Sequence, residues 1–503
     1  MRPRFSPSLA TVAAVSVLLA ACGSSAPADV PTPLASAGEI PAPATSAAGP
    51  IGLTDWPEFG LNPARSNVSE LSTGITPANV AQLTPKTVSL PGTVDSSPIY
   101  LHAVTVDGAV HDVIVATTTY GRTLAIDAAS GRILWTFTPP GYRGWAGGSQ
   151  ITTASPLADP DRRAVYAASP NGEIHKLSLA DGHEEAGWPT AVTREPRHEK
   201  LAAALNIDGP DVIATTGGYF GDAPPYQGHV ALISRSSGRL EAVFNTLCSG
   251  RRGLILPSSC SSSDSAILSR SGPVVEPGGG RILIDTGNGP WNGRSDFGDS
   301  TLELTFPALH LRQAFTPLDQ ARLNSSDTDL GSSAPALLGH DRIVLAGKDG
   351  VMRLLVLSRL DGHPPGGSLR RLGGEVERLG IPGGGQLFSA PAVWRRGRQT
   401  TVFVADESGT AAYVLRAGGL GRAWINSNPG TSPVMAGGLL YVYDLSSGGI
   451  YVYRPGSPRP IAKLPGRPGH WNSPIVVDGH VVEPEGNGND DSQSGTIEIL
   501  SVR

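Results

Sequence analysis

The sequence predicts an all-β protein, an eight-bladed β-propeller of four-stranded antiparallel blades closed by an N-terminal strand. Three observations predict it. Glycine (63 residues) and proline (44) are abundant while charged residues make up only 17% of the chain, a balance that suits many turns and short strands better than long helices. One phrase recurs along the chain: a Ser/Ala/Gly-Pro step, a Val/Ile-rich strand, a glycine turn, a third strand, and a polar turn before a fourth. The later openings, Pro391, Pro433 and Pro474, lie 42 and 41 residues apart, the length of one propeller blade.

The elements follow in order. The first copy opens at Ser97-Pro98 and runs through DVIVATT (112–118), Gly121, TLAID (123–127), Ser130-Gly131 and ILWTF (133–137). The second opens at Ser155-Pro156 and continues through AVYAAS (164–169), Asn171-Gly172 and IHKLSL (174–179). A third copy keeps DVIATT (211–216), HVALIS (229–234) and Ser237-Gly238 but lacks the proline. The opening step returns at Gly272-Pro273, Ala334-Pro335, Ala390-Pro391, Ser432-Pro433 and Ser473-Pro474, which makes eight copies. Alternation within the strands is imperfect, as expected for inner strands covered on both faces by neighbouring blades. The chain runs out at TIEIL (496–500), a third strand without a fourth, and TPKTVSL (84–90) is the unassigned strand that can complete it. Such closure removes two long exposed sheet edges.

The N-terminus carries a different signal. Arg2 and Arg4 precede a short apolar run, Leu9–Leu19, and then Leu19-Ala20-Ala21-Cys22. The run is too short to span a bilayer and fits a secretory leader. Its end resembles the bacterial lipobox, which implies cleavage after residue 21, lipidation of Cys22, and a place on the extracytoplasmic (periplasmic or cell-surface) side of a bacterial membrane. Residues 22–55 are rich in Ala, Pro, Ser and Gly, a composition that buries too little apolar surface to order itself and reads as a tether. The propeller then occupies 56–503. Lys and Arg number 39 against 44 Asp and Glu, a net charge of −5. With no basic patch, nucleic acid is excluded as a partner. Cys248 and Cys260 remain as an even pair in an oxidising compartment and are expected to form a disulfide, two independent thiols being the alternative.

The segment YGRTLAIDAASGRILWTF (120–137), with Trp56-Pro57-Glu58-Phe59-Gly60 and ITPANVAQL (75–83) ahead of it, is similar to the PQQ-type propeller repeat of bacterial quinoproteins. The resemblance spans essentially all of 56–503. It implies a quinone (PQQ) and a metal, Ca²⁺ or a lanthanide, at the propeller axis. DTGNGPWNG (285–293) resembles the segment that supplies a metal-coordinating asparagine, here Asn288. FTPLDQARLNSSDTDLGSSAP (315–335) falls where the family carries its catalytic aspartate and a second one two residues on, here Asp327 and Asp329, both of which the resemblance makes metal ligands. AGKDG (346–350) resembles the turn that places a cation over the quinone, here Lys348. A hard cation would polarise the quinone carbonyl while an aspartate takes the alcohol proton.

Other parts of that pattern depart. No adjacent cysteine pair exists, Phe220 stands at the expected metal-binding glutamate with Asp222 nearby, and Leu268 stands where an indole platform is expected. Each matched motif also has a plain reading: Gly287-Asn288-Gly289 as a turn, Asp327 and Asp329 as turn caps, Lys348 as a hairpin tip. The oxygen-rich EGNGNDDSQSG (485–495) is a further Ca²⁺ candidate or an ordinary loop. The favoured expectation is therefore a lipid-anchored binding module with a degenerate quinone site. Its axis would take a small polar ligand or a protein partner. The alternative is a PQQ- and metal-dependent dehydrogenase. No G-x-S-x-G, P-loop, haem-attachment or zincin motif is present.

Overall fold

The computed structural model describes residues 54–502. Cys22, the leader 1–21 and nearly all of the tether lie outside the described residues. Asp55, at the end of the expected tether, is already part of the folded body: it is buried, pairs with Arg162 at 3.1 Å and accepts a hydrogen bond from the His102 amide.

Eight antiparallel four-stranded blades follow one another along the chain, the seventh extended by a short parallel strand, Val68–Ser69, beside Val434–Ala436. Blade 1 is Ile99–Val106, Ala109–Thr117, Thr123–Asp127 and Ile133–Phe137, and blade 2 runs from Leu157–Ala158 to Thr190–Ala191. Blades 3 to 6 open at Asn206–Asp208, Val274–Val275, Ala336–Gly339 and Ala392–Arg396, and blade 7 at Val434–Ala436. Blade 8 is Ile475–Val477, His480–Pro484 and Gly495–Ser501, completed by Thr84–Leu90. This last strand pairs antiparallel with Gly495–Ser501, from Thr84 opposite Ser501 to Leu90 opposite Gly495. The expected closure is observed.

Burial explains the blurred alternation of the sequence. The inner strands Ala164–Ser169, Asp211–Thr215 and Leu439–Tyr443 are buried at every position, because each lies between two neighbouring blades. Outer strands alternate: in Thr84–Leu90 only Val88 and Leu90 are buried. Apolar clusters fill each inter-blade space in turn, from the blade 1–2 cluster around Val113 and Val165 to the one that joins blades 7, 8 and 1 through Tyr441, Val482 and Ile114. Among the described residues one short α-helix occurs, Gln320–Ser325, and no helix is long and apolar enough to cross a membrane.

The lead-in segment has a role that its sequence does not disclose. Residues 56–73 run across one end of the ring and bond to blade after blade. Trp56 exchanges backbone hydrogen bonds with Tyr100 of blade 1, and Ala158 of blade 2 donates to Pro57 O. Val275 of blade 4, Val393 of blade 6, Met435 of blade 7 and Gly479 of blade 8 donate to Pro63, Ser66, Asn67 and Thr73. Phe59 enters the central channel and packs on Ala204 ahead of blade 3 and Ala390 ahead of blade 6. Beside it Arg65 Nη1 donates to Glu58 Oε2 at 2.7 Å, and Nη2 to Leu205 O at 2.6 Å. The channel is plugged from this end.

Candidate functional site

The loops joining second to third strands, and those leading into each blade, share the opposite end of the ring. Asn288 lies in the second-to-third-strand loop of blade 4, Lys348 in that of blade 5, and Asp327 and Asp329 in the loop leading into blade 5. The structure brings all four together. The Asn288 amide N–H donates to Asp329 Oδ1 at 2.7 Å, and Asn288 Nδ2 reaches Asp327 Oδ1 at 3.3 Å. Lys348 Nζ lies 2.5 Å from Asp329 Oδ2 and 3.1 Å from Asp327 Oδ1. Asp329 is buried, whereas Asp327, at a left-handed φ of 49°, is exposed.

Two glycines of the motifs make this convergence possible. A Cβ at Gly287 would run into the Asp329 carboxylate, and one at Gly347 into the backbone of Asp329 and Leu330. Only a residue without a side chain lets the loops of blades 4 and 5 close around that aspartate. Lys348 N–H then donates to Asp329 O at 2.9 Å.

The electrostatics are those of an acidic basin around one ammonium. Burial alone would lower the Lys348 pKa, but Asp329 and then Asp327 hold it above the ordinary lysine value. Burial raises Asp222 and Asp264, and the charges of Asp329 and Asp327 push both further up. Tyr226 Oη donates to Asp222 Oδ1 at 3.0 Å. Asp299, buried beneath the loop, accepts from Leu330 N–H at 3.2 Å and is pushed up to about 8 by burial and by Asp329. It is therefore a neutral acid at pH 7. Phe220, at the aligned glutamate position, points into solvent with 95% of its surface exposed, and the nearest acid supplied by that loop is Asp222. Sequence reading singled out neither Asp264, whose neighbours give no motif, nor Asp299, although Asp299 lies in FGDSTLEL (297–304), directly after the Asn288 segment.

Among the described residues, His102, Asp112 and Asp478 are the one set of three His, Cys, Asp or Glu ligand atoms lying within 4.8 Å of one another. They sit away from the axial basin, on the side where Tyr100 meets the lead-in segment. At the basin, the space between Asp327 and Asp329 belongs to Lys348 Nζ. In the 485–495 loop, Gly488 N–H caps Asp95 Oδ2 at 2.9 Å, Asn487 bonds to Asp490, and Glu485 accepts from Arg467 N–H and Thr496 Oγ1. Cys248 and Cys260 form a disulfide in the connection between blades 3 and 4, with Cα atoms 6.2 Å apart.

A second cluster lies on the axis itself, and no motif announced it. Arg270, two residues beyond Leu268, extends from the loop leading into blade 4. Its Nη1 donates to Asp95 O at 2.8 Å and its Nη2 lies 3.2 Å from Asp95 Oδ1, both ahead of blade 1. Arg270 Nη2 is also 3.1 Å from His470 Nδ1, which meets Asp95 Oδ2 at 2.8 Å. His470 precedes blade 8, opposite blade 4 in an eight-membered ring, so this network crosses the channel. Next to it Trp471 and Phe388 pack with ring centroids 4.6 Å apart.

A family model described as outer membrane protein assembly factor BamB matches residues 87–258. No curated protein matches the chain in sequence. Among solved structures, the fold is similar to quinohemoprotein alcohol dehydrogenase from Comamonas testosteroni, with a TM-score of 0.61 and 14% identity over 90% of this chain and 81% of that one. A europium-containing methanol dehydrogenase gives 0.62 and 13% over 90% and 98%. BamB from Moraxella catarrhalis gives 0.53 and 12% over 84% and 100%. At such identities the likeness is one of fold, which hosts unrelated functions.

Proposed function

We propose that this eight-bladed β-propeller, whose fold is that of the quinoprotein dehydrogenases and BamB, works as a lipid-anchored, extracytoplasmic binding module. Its axial funnel would receive a small polar ligand or a polar group of a protein partner. One observation supports the reading: the charged residues that the resemblance assigns to a quinone and its metal, and those on the axis, are already paired with one another. Lys348 Nζ bridges Asp327 and Asp329, so the oxygen ligands expected for a hard cation already hold an ammonium. The Arg270–Asp95–His470 network spans the axis, where a flat ring would need an open slot. The residues present do not fit the quinone and metal together.

The alternative, a quinone- and metal-dependent dehydrogenase, draws on the meeting of Asn288, Asp327, Asp329 and Lys348 in one basin. One experiment separates the two. The protein is incubated with PQQ and either Ca²⁺ or La³⁺, freed of unbound cofactor, and examined for quinone absorbance and for alcohol-dependent dye reduction. Neither is expected. Retained quinone with dye reduction that Asp327→Asn abolishes would replace the binding reading with the enzymatic one.

Anchoring has its own test. Cys22→Ser is expected to move the protein from the membrane fraction to the soluble one, because the acyl chains supply the membrane affinity. Unchanged partitioning would refute lipidation.

A further inference from the structure

The outer rim of the ring carries a cavity of about 460 Å³ in the cleft between blades 3 and 4. That volume lies within the range of sites for small organic ligands. Its floor is apolar. Ala242 and Phe244, on the outermost strand of blade 3, alternate toward blade 4, where they meet Leu309 and Leu311. Leu369 completes the floor from residues 357–376, a long excursion between the third and fourth strands of blade 5. The excursion lies hard against blade 4: a Cβ at Gly293 would strike Leu369 O and Arg370 Cα.

The rim is cationic. Arg251 and Arg252 come from the connection between blades 3 and 4, Arg294 and His310 from blade 4 itself. Arg252 Nη2 lies 3.1 Å from His310 Nε2, and Arg251 Nη1 donates to Ser259 O at 3.1 Å and Ser259 Oγ at 2.8 Å. Among the described residues, none of these three guanidiniums pairs with a carboxylate. Glu241, the one acid that lines the cavity, already pairs with Arg239 at 2.7 Å. Three permanent cations therefore share one cleft in a chain whose net charge is −5. Each guanidinium has five N–H donors, and most of them are left for an incoming oxygen.

The backbone beneath these arginines is fixed. Asn245, fully buried, donates through Nδ2 to Arg251 O at 2.9 Å and to Gly253 O at 3.2 Å. Ser249 N–H donates to Ser295 O at 2.9 Å, and Cys248 N–H to Asp296 Oδ1 at 3.0 Å. These bonds join the loop of Arg251 and Arg252 to the loop of Arg294. The Cys248–Cys260 disulfide closes the first of the two. Such prior ordering lowers the entropy cost of gathering the donors around a ligand.

We infer that this cleft binds a small amphiphilic anion, with an oxyanion head at the arginines and an apolar tail on the floor. Guanidiniums match carboxylate and phosphate oxygens through paired N–H donors, and the floor removes apolar surface from water. The cleft lies on the outer rim, apart from the axial basin, and does not rest on the reading proposed for the axis.

The test uses the full-length chain carrying Cys22→Ser, so that no detergent competes for the cleft. Titration calorimetry compares octanoate and octyl phosphate with octanol, which lacks the charge, and with acetate, which lacks the tail. At least one of the two amphiphilic anions is expected to bind, and the tighter one names the head group. Octanol and acetate should each bind roughly tenfold more weakly or worse. Arg252→Gln with Arg294→Gln, two exposed positions, should lose about tenfold or more in affinity for the anion. The same charge loss at Arg143 and Arg194, exposed arginines outside the cleft, should leave affinity unchanged. Four outcomes overturn the proposal: neither anion binds, octanol or acetate binds as tightly, the cleft variant keeps wild-type affinity, or the control variant loses as much.

Discussion

Arg65→Ala is expected to destabilise the propeller by roughly 3–5 kcal/mol, the range for removing one partner of a buried ion pair. Arg65 and Glu58 are both buried, 2.7 Å apart, and Arg65 also donates to Phe59 O and Leu205 O. Its removal strands Glu58 without a counter-charge and loosens Phe59, which plugs the channel. Burial pushes the Glu58 carboxyl up to about 7 even while Arg65 pulls it down. Without the guanidinium it rises further. A carboxyl whose folded pKa exceeds its unfolded value contributes stability below the unfolded value, about 4.5, and loses it as pH rises through the folded one. The variant should therefore be less stable at pH 8 than at pH 5. Denaturant unfolding at the two pH values measures both effects. Stability unchanged at pH 8 would show that the pair does not hold the plug.

The second large effect concerns ring closure. Val88→Lys with Leu90→Lys is expected to cost roughly 3–6 kcal/mol, since each aliphatic side chain contributes about 1.5–3 kcal/mol on burial. Both residues are buried in the cluster that joins blades 7, 8 and 1. They anchor the strand that pairs with Gly495–Ser501 along its whole length. Detachment would also leave Gly495–Ser501 as a bare edge, a template for pairing between molecules. Loss of unfolding cooperativity and concentration-dependent association would accompany the lower stability. A double variant as stable and as monomeric as the wild type would mean that the ring does not need its clasp. Lysines at Thr84 and Ser89, exposed positions of the same strand, provide the control.

Two kinds of information came from the chain in different ways. The blade count, the order of strands and the clasp were legible because they are local or periodic. Proline steps and glycine turns punctuate the strands, and a third strand without a fourth needs a partner. Gly287 and Gly347 were visible as motif letters, and the structure supplies their reason, the close approach of two loops to Asp329. The basin itself was legible in four positions because Asn288, Asp327, Asp329 and Lys348 sit in recognisable phrases. Asp264 was not, since a single acid in a loop carries no spacing, and Asp299, though it lies in FGDSTLEL beside the Asn288 segment, took its place under the basin only from the fold.

The sequence by itself determined the repeat, and with it the architecture, since each repeat is one sheet and eight sheets close a ring. Only the tertiary structure decided what occupies the axis. Arg270, Asp95 and His470 lie in the loops leading into different blades, separated by up to 375 residues, and none belongs to a motif. Phe59 and the Glu58–Arg65 pair likewise sit in a lead-in whose sequence marks its start but not its path across the ring. The physical reason is that side chains at the inner ends of blades become neighbours through ring closure alone. Their pairing energy depends on distances across the channel, which no periodicity along the chain encodes.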